Sequence, residues 1–214
     1  MEFSGKKVTV VGTGISGIGA VGLLNAVGAE VVLYDGNEKL KIEDIEKKLG
    51  TYKAEIVLGE LTKELTDSSD LLVISPGVPI DSPVVKAFEA AGVPVWGEVE
   101  LAYAFDKGKV LAITGTNGKT TTTALVGQIV GAYHKDTFVV GNIGNPYTTE
   151  VLKSNKDSYT VAEISSFQLE TVHEFHPLVS AILNITPDHL NRHYTMDCYV
   201  QTKEKIVMNQ KGSE

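Results

Sequence analysis

Short apolar runs recur along the chain, each followed by a polar or glycine-bearing loop and then by a stretch with helical spacing. The runs are Val8–Gly12, Val31–Tyr34, Glu55–Leu58, Leu71–Ile74, Val93–Trp96, Val110–Ile113, Phe138–Val140, Tyr159–Ala162 and Val179–Asn184. Most are β-branched and nearly continuous rather than alternating, as parallel strands buried on both faces require. Between them, Ile42, Ile45 and Leu49 share one helical face. Ser82-Pro83 followed by Val84, Val85, Phe88 and Gly92 predicts a helix with Ser as N-cap, Pro at its first position and Gly past its end. The pattern is that of a doubly wound α/β chain, with a boundary near Trp96–Gly97. Its unusual polar positions follow the strand-like runs: Gly12, Asp35, Ser75, Thr114, Gly141-Asn142, Glu163 and Thr186–His189. Open parallel sheets bind ligands at that edge.

Composition narrows the class. With 43% hydrophobic and 21% charged residues in 214, the chain is globular, one large domain or two small ones. The 21 glycines exceed the usual share of about 7% and sit in loops between the runs. A net charge of −8 without any Lys/Arg block disfavours nucleic acid and anionic membranes as partners. The single cysteine, Cys198, excludes an internal disulfide and a multi-cysteine zinc site. The opening MEFSGKKVTV has no apolar signal core, so a cytoplasmic protein is expected.

Two glycine-rich loops carry the chemistry. In VTVVGTGISGIGA, Gly12, Gly14 and Gly17 lie between a strand and a helix. There Gly12 permits a tight turn, Gly14 lets backbone N–H groups approach a diphosphate, and Gly17 allows close helix packing. Asp35 ends the next strand, where a dinucleotide fold places its ribose-binding acid. NAD is the default ligand for this pattern, and a UDP-sugar diphosphate satisfies the same physics. In AITGTNGKTTTTALVG, the N–H groups of Gly115, Thr116, Asn117 and Gly118 form a phosphate nest at a helix start. Lys119 reaches the β- and γ-phosphates and Thr120 holds Mg²⁺ in such a loop, although Ile113 occupies the first glycine position of the strict P-loop spacing.

Three further segments follow. Glu163, in AEISSFQLE, leaves a buried strand as a carboxylate that either Mg²⁺ or a helix start would satisfy. His189, in NITPDHLNRH, is a candidate metal ligand, whereas His134, His173, His176 and His193 have no comparable context. Lys203 shares a helical face with Tyr199, Ile206 and Val207, so desolvation should lower its pKa unless it snorkels to water.

The combination GTNGKT, GNIG, EISSFQLE and NITPDHLNRH resembles the Mur ligase family, over essentially the whole chain. The SSFQLE phrase and the N-terminal glycine-rich loop resemble its D-glutamate-adding members. The resemblance implies a Rossmann-like parallel-sheet domain over residues 1–96 that binds a UDP substrate. Part of a P-loop ATPase α/β domain would follow over 97–214. It implies an ATP-dependent ligase of peptidoglycan synthesis, with Mg²⁺, acting as a monomer on UDP-N-acetylmuramoyl-L-alanine and D-glutamate through an acyl phosphate. Gly14, Ile15, Ser16, Gly17, Asp35 and Ser75 would then meet the UDP portion, and Asn142, Ser165 and Gln168 the muramoyl portion. Gly115 to Lys119, Thr120 and Thr121 would bind ATP. Thr120, Glu163, His189 and Lys203 would hold metal, with Lys119, His189 and Lys203 catalytic and Lys203 carrying a carbamate. Asn191, His193 and Gly36 depart from the family pattern, which has Asp, Tyr and a polar residue there; this weakens the implied roles at the first two and part of the implied uracil contact at the third. Members of the family are about twice this long. The chain is therefore expected to be a truncated and inactive piece, with the adenine and D-glutamate contacts beyond Glu214. An NAD-dependent oxidoreductase and a non-catalytic UDP-ligand-binding fragment are the alternatives.

Overall fold

The computed structural model describes residues 2–211. It contains two parallel sheets. The first unit runs β1 (Lys7–Val11), α1 (Ile15–Ala26), β2 (Glu30–Asp35), α2 (Ile42–Leu49), β3 (Glu55–Leu58), α3 (Lys63–Ser68), β4 (Leu71–Ile74), α4 (Pro83–Ala90) and β5 (Val95–Gly97). Helix α5 (Glu98–Tyr103) leads directly into the second. That unit comprises β6 (Lys109–Thr114), α6 (Lys119–Tyr133), β7 (Thr137–Gly141), α7 (Tyr147–Glu150), β8 (Tyr159–Glu163), α8 (Ser166–Leu169), β9 (Val179–Ile182), α9 (Leu190–His193) and α10 (Met196–Glu204).

The strand orders are β3-β2-β1-β4-β5 and β7-β8-β6-β9, with parallel pairing throughout. In the first sheet the winding reverses between β1 and β4, and this opens a crevice past their C-terminal ends. All nine apolar runs form strands. Most edges shift by no more than one residue and two shift by two: Pro94, which lacks an N–H, delays β5 to Val95, and β9 ends at Ile182, before the polar Asn184. One side chain of the α2 face also differs. Ile45 and Leu49 are buried, but Ile42 opens the helix and stays exposed. In α4, Ser82 occupies the N-cap and Pro83 the first turn, yet the Ser82 hydroxyl caps nothing.

A continuous core joins the two units. Val8, Val10, Leu24 and Leu33 of the first belong to the same buried cluster as Val99, Leu101, Tyr147, Ile164 and Phe175. The opposite face of the first sheet has its own core around Val32, Leu72, Ile74 and Phe88, beneath α3 and α4. Both sheets therefore present their C-terminal edges in fixed relation. Among the described residues no helix is long and apolar enough to cross a membrane.

Candidate functional site

At the first sheet's crevice, the Gly12–Gly17 loop is forced by contact. A Cβ on Gly17 would lie 1.9 Å from the Gly12 carbonyl oxygen, so only glycine lets α1 start this close to β1. Gly14 is the extended N-cap of α1, and space is open around its Cβ position. Ile15 begins the helix 78% exposed, with Ser16 beside it. Asp35 braces this loop: it accepts from the Thr13 N–H (3.3 Å) and hydroxyl (3.0 Å), and from the Asn37 N–H (3.1 Å). Thr13 was not legible as its partner, because the pairing spans two strands. From β4, the buried Ser75 hydroxyl lies beneath Gly12 without a hydrogen-bond partner.

In the second sheet, β6 carries the other loop between β8 and β9. Gly118 caps α6 with φ at +82°, a left-handed conformation that favours glycine. Lys119 folds back on the loop, donating to the carbonyls of Gly115 (2.9 Å) and Thr116 (2.8 Å). Thr120 and Thr121 are exposed on the first turn of α6. The segment after β9 holds the loop from its other side. Asn184 accepts from the Asn117 N–H and donates to the Asn117 carbonyl, both at 2.9 Å. Thr116 hydrogen-bonds Thr186 and the Tyr199 hydroxyl. Asn184 was missed because NIT signals only a strand ending in a polar turn.

Glu163 ends β8 opposite Ile113, the residue before Thr114, and is 1% exposed. Its Oε1 accepts from the Asn142 side-chain amide at 2.7 Å, while Asn142 donates its N–H to the Glu163 carbonyl at 2.9 Å. Oε2 has no partner. A buried carboxylate oxygen left without a donor is costly unless something cationic reaches it. The helix-start alternative is not what the backbone does, since α8 is capped by Ser165 instead. Ser165 and Gln168 form a capping box: Ser165 Oγ accepts from the Gln168 N–H (3.2 Å) and Gln168 Oε1 from the Ser165 N–H (2.9 Å). Gln168 is consequently enclosed, and it shapes the loop rather than facing open space.

Lys203 lies in the interior, 1% exposed. It donates to the Gly115 carbonyl at 2.9 Å, the oxygen that Lys119 also uses, and sits over the Tyr199 ring. Burial draws its pKa from 10.5 to about 8; the Lys119 cation adds to the fall and Asp188 opposes it. Ile206 is buried beside it, but Val207 is exposed, because α10 ends at Glu204 and a tighter turn over Lys205–Val207 rotates that side chain outward. His189 has φ at +52°, leaves 49% of its side chain exposed, and stacks on Phe167. Among the described residues no three His, Cys, Asp or Glu side chains cluster as metal ligands. An ion here would need phosphate or water oxygens as well, which is how Mg²⁺ usually binds.

His193 has a structural place that its sequence context did not signal. It is buried, with Nε2 2.9 Å from the Ser166 hydroxyl and its ring against Phe167 and Tyr199. Burial holds its pKa below 6.5, outweighing the opposing pull of Glu170. Next to it, Arg192 grips Glu170 with two hydrogen bonds (2.6 and 3.0 Å) and reaches the Val78 carbonyl of the first unit.

Comparison with known proteins agrees with this arrangement. Residues 6–97 match the family model of the Mur ligase MurD-like N-terminal domain, and residues 113–214 match that of the Mur ligase middle domain. The UDP-N-acetylmuramoylalanine--D-glutamate ligase of Lachnospira eligens is 71% identical over 98% of this chain and 47% of its own length. That of Lachnoclostridium phytofermentans is 59% identical over 98% of this chain and 46% of its length. The chain thus spans about half the length of the curated relatives it matches. The structure of UDP-N-acetylmuramate:L-alanyl-gamma-D-glutamyl-meso-diaminopimelate ligase (MPL) from Neisseria meningitides superposes with a TM-score of 0.61 at 17% identity, over 98% of this chain and 70% of that one, which shows a shared fold. Two parallel-sheet units, glycine-rich loops at both crevices and matches along nearly the whole sequence make the chain a member of the Mur ligase family.

Proposed function

We propose that the chain supplies the uridine-substrate and phosphate-binding portions of an ATP-dependent ligase that joins D-glutamate to UDP-N-acetylmuramoyl-L-alanine. The observation that carries the reading is the second crevice: two lysine amines on the Gly115 carbonyl, and beside that loop a buried Glu163 oxygen without a partner. A polyphosphate draws Lys119 off the loop carbonyls, and a divalent ion answers Glu163. In this reading the substrate carboxylate takes the γ-phosphoryl group to give an acyl phosphate. The D-glutamate amine then attacks the acyl carbon and releases phosphate. Lys119 and the loop N–H groups hold the phosphates in line, the usual demand of phosphoryl transfer. Thr120, Glu163 and His189 are the residues that would hold Mg²⁺, which would supply charge neutralisation on the transferring group. Lys203, with its lowered pKa, is available as a neutral amine for the carbamate that would turn it into an anionic support for that ion.

In the first crevice, the exposed Ile15 offers a face for a base, and the open N-cap at Gly14 offers backbone donors for a diphosphate; the Ser75 hydroxyl, enclosed beneath Gly12, would support that turn from below. Asn142 and Ser165 belong to the second unit, where the muramoyl end would reach Glu163. An oxidoreductase would use the first crevice but leaves the Lys119, Glu163 and Lys203 constellation without purpose. Titration calorimetry of the chain with UDP-N-acetylmuramoyl-L-alanine, Mg-ADP and NADH tests this. Binding of the first two is expected; NADH binding that the uridine ligand cannot displace would overturn the reading.

A further inference from the structure

Glu98 opens α5, between the two sheets, and is 2% exposed. A carboxylate so enclosed needs donors. Its Oε1 accepts from the Thr148 N–H at 2.8 Å and from the Thr148 hydroxyl at 3.0 Å. The Tyr147 N–H and the Gln168 side chain also donate toward it, and burial still pushes its pKa up. The donors come from two site segments. Tyr147 and Thr148 begin α7, directly after the loop that carries Asn142. Gln168 closes the capping box that fixes Ser165. The third side is α1, the helix begun at Gly14: a Cβ on its Gly19 would lie 2.7 Å from the Thr148 hydroxyl.

We propose that Glu98 is a positioning residue that sets Asn142, Ser165 and the Gly14–Gly17 loop relative to one another, and so governs affinity for the uridine-muramoyl ligand without touching it. The inference rests on the functional reading above. Glu100, two residues on, provides the contrast. It is equally buried, but its carboxylate takes the N–H groups of His173 (2.9 Å), Glu174 (2.7 Å) and Phe175 (3.2 Å), a loop that leads away from the crevice. Both acids anchor α5; only Glu98 is tied to the ligand loops.

The test is calorimetry on the chain and its Glu98→Gln and Glu100→Gln variants, with UDP-N-acetylmuramoyl-L-alanine and Mg-ADP. Glutamine keeps the size of Glu98 but turns an amide toward groups that already donate. Glu98→Gln should weaken the uridine ligand about tenfold, the scale of one disturbed buried hydrogen bond, and leave Mg-ADP unchanged. Glu100→Gln should lower the melting temperature and leave both affinities alone. Equal loss of both ligands in Glu98→Gln, or equal loss of the uridine ligand in the two variants, would overturn the proposal. Should Glu98→Gln fail to fold, Thr148→Val removes one donor while keeping the shape, and unchanged uridine affinity there would also overturn it. If the native chain does not bind the uridine ligand, the functional reading falls and amide exchange decides the positioning role. Faster exchange in Glu98→Gln, or in Thr148→Val, at both 142–149 and 165–169, but not at 116–122, upholds it. Unchanged exchange at 165–169 sinks it.

Discussion

After β1 the chain turns through Gly12–Gly17 into α1, and after β6 it turns through Gly115–Gly118 into α6. Both loops leave the C-terminal end of an inner parallel strand, and both aim helix N–H groups into a crevice. Their surroundings diverge. The first has an exposed isoleucine, a hydroxyl and an aspartate already occupied by Thr13. The second has two amines on one carbonyl and a half-satisfied buried acid. In the function proposed above, one strand–loop–helix unit serves two ligand chemistries, and side chains from neighbouring strands decide which. On that proposal the first would take a base and a diphosphate that carries its own counter-ions. The second would take a reacting triphosphate, whose growing charge needs cations within the site.

The difference can be broken at the backbone first. Gly17→Ala places a methyl 1.9 Å from a carbonyl oxygen, so something must move. A loss of about 4 kcal/mol or more is expected in urea unfolding, beyond the range of most single substitutions. Gly118→Ala meets only Leu183 at 3.7 Å and suffers from its positive φ alone, so about 1–2 kcal/mol is expected. Equal losses would mean that the loops are not held by different constraints.

Side-chain charge comes next. Lys119→Ala should weaken Mg-ADP about 100-fold, the scale of charged hydrogen bonds lost, and leave the uridine ligand within twofold. Glu163→Gln keeps the Asn142 contact geometry but removes the anionic oxygen. It should cut the gain in ADP affinity that Mg²⁺ confers by about tenfold, with metal-free ADP binding unchanged. A Mg²⁺ effect intact in Glu163→Gln would remove that residue from the ion site.

Strands and loops of this kind were legible because continuous β-branched runs and glycine spacing are local signals. The legible part ends where contacts become long-range. GEVELA carries two acids that look like a solvated helix start, yet both are enclosed because α7 and the 173–175 loop fold over them. His193 looked like a departure from a pattern, and only the placement of α8 and α10 shows the pocket it fills. Asn142 and Glu163 were separate candidates in sequence, and adjacency of β7 and β8 joins them. The desolvation of Lys203 was legible from helical spacing, while the end of α10 decided that Ile206, not Val207, completes its surroundings.

The effect most specific to the second crevice is a pH dependence of stability. In the folded chain the Lys203 pKa lies at about 8, against 10.5 for the same lysine in water. Between those values the unfolded chain holds a proton that the folded chain has released, so stability rises with pH through that window. Below about pH 8 both states are protonated and the cost of burying the cation is complete; above about 10.5 both are neutral and it is gone. Among the described residues no lysine amine is enclosed beneath the first loop; the Lys48 amine there donates to the Thr13 carbonyl at 3.4 Å. Lys203→Met removes the titration and keeps most of the apolar stem. Urea unfolding of the chain and this variant at pH 7.5, 8.5 and 9.5 should show the native chain gaining stability relative to Lys203→Met as pH rises. Taking the difference cancels the tyrosines, whose burial acts in the opposite direction near pH 10. A constant difference across the three pH values would mean that the amine titrates like a surface lysine. The second crevice would then offer no neutral amine near neutral pH.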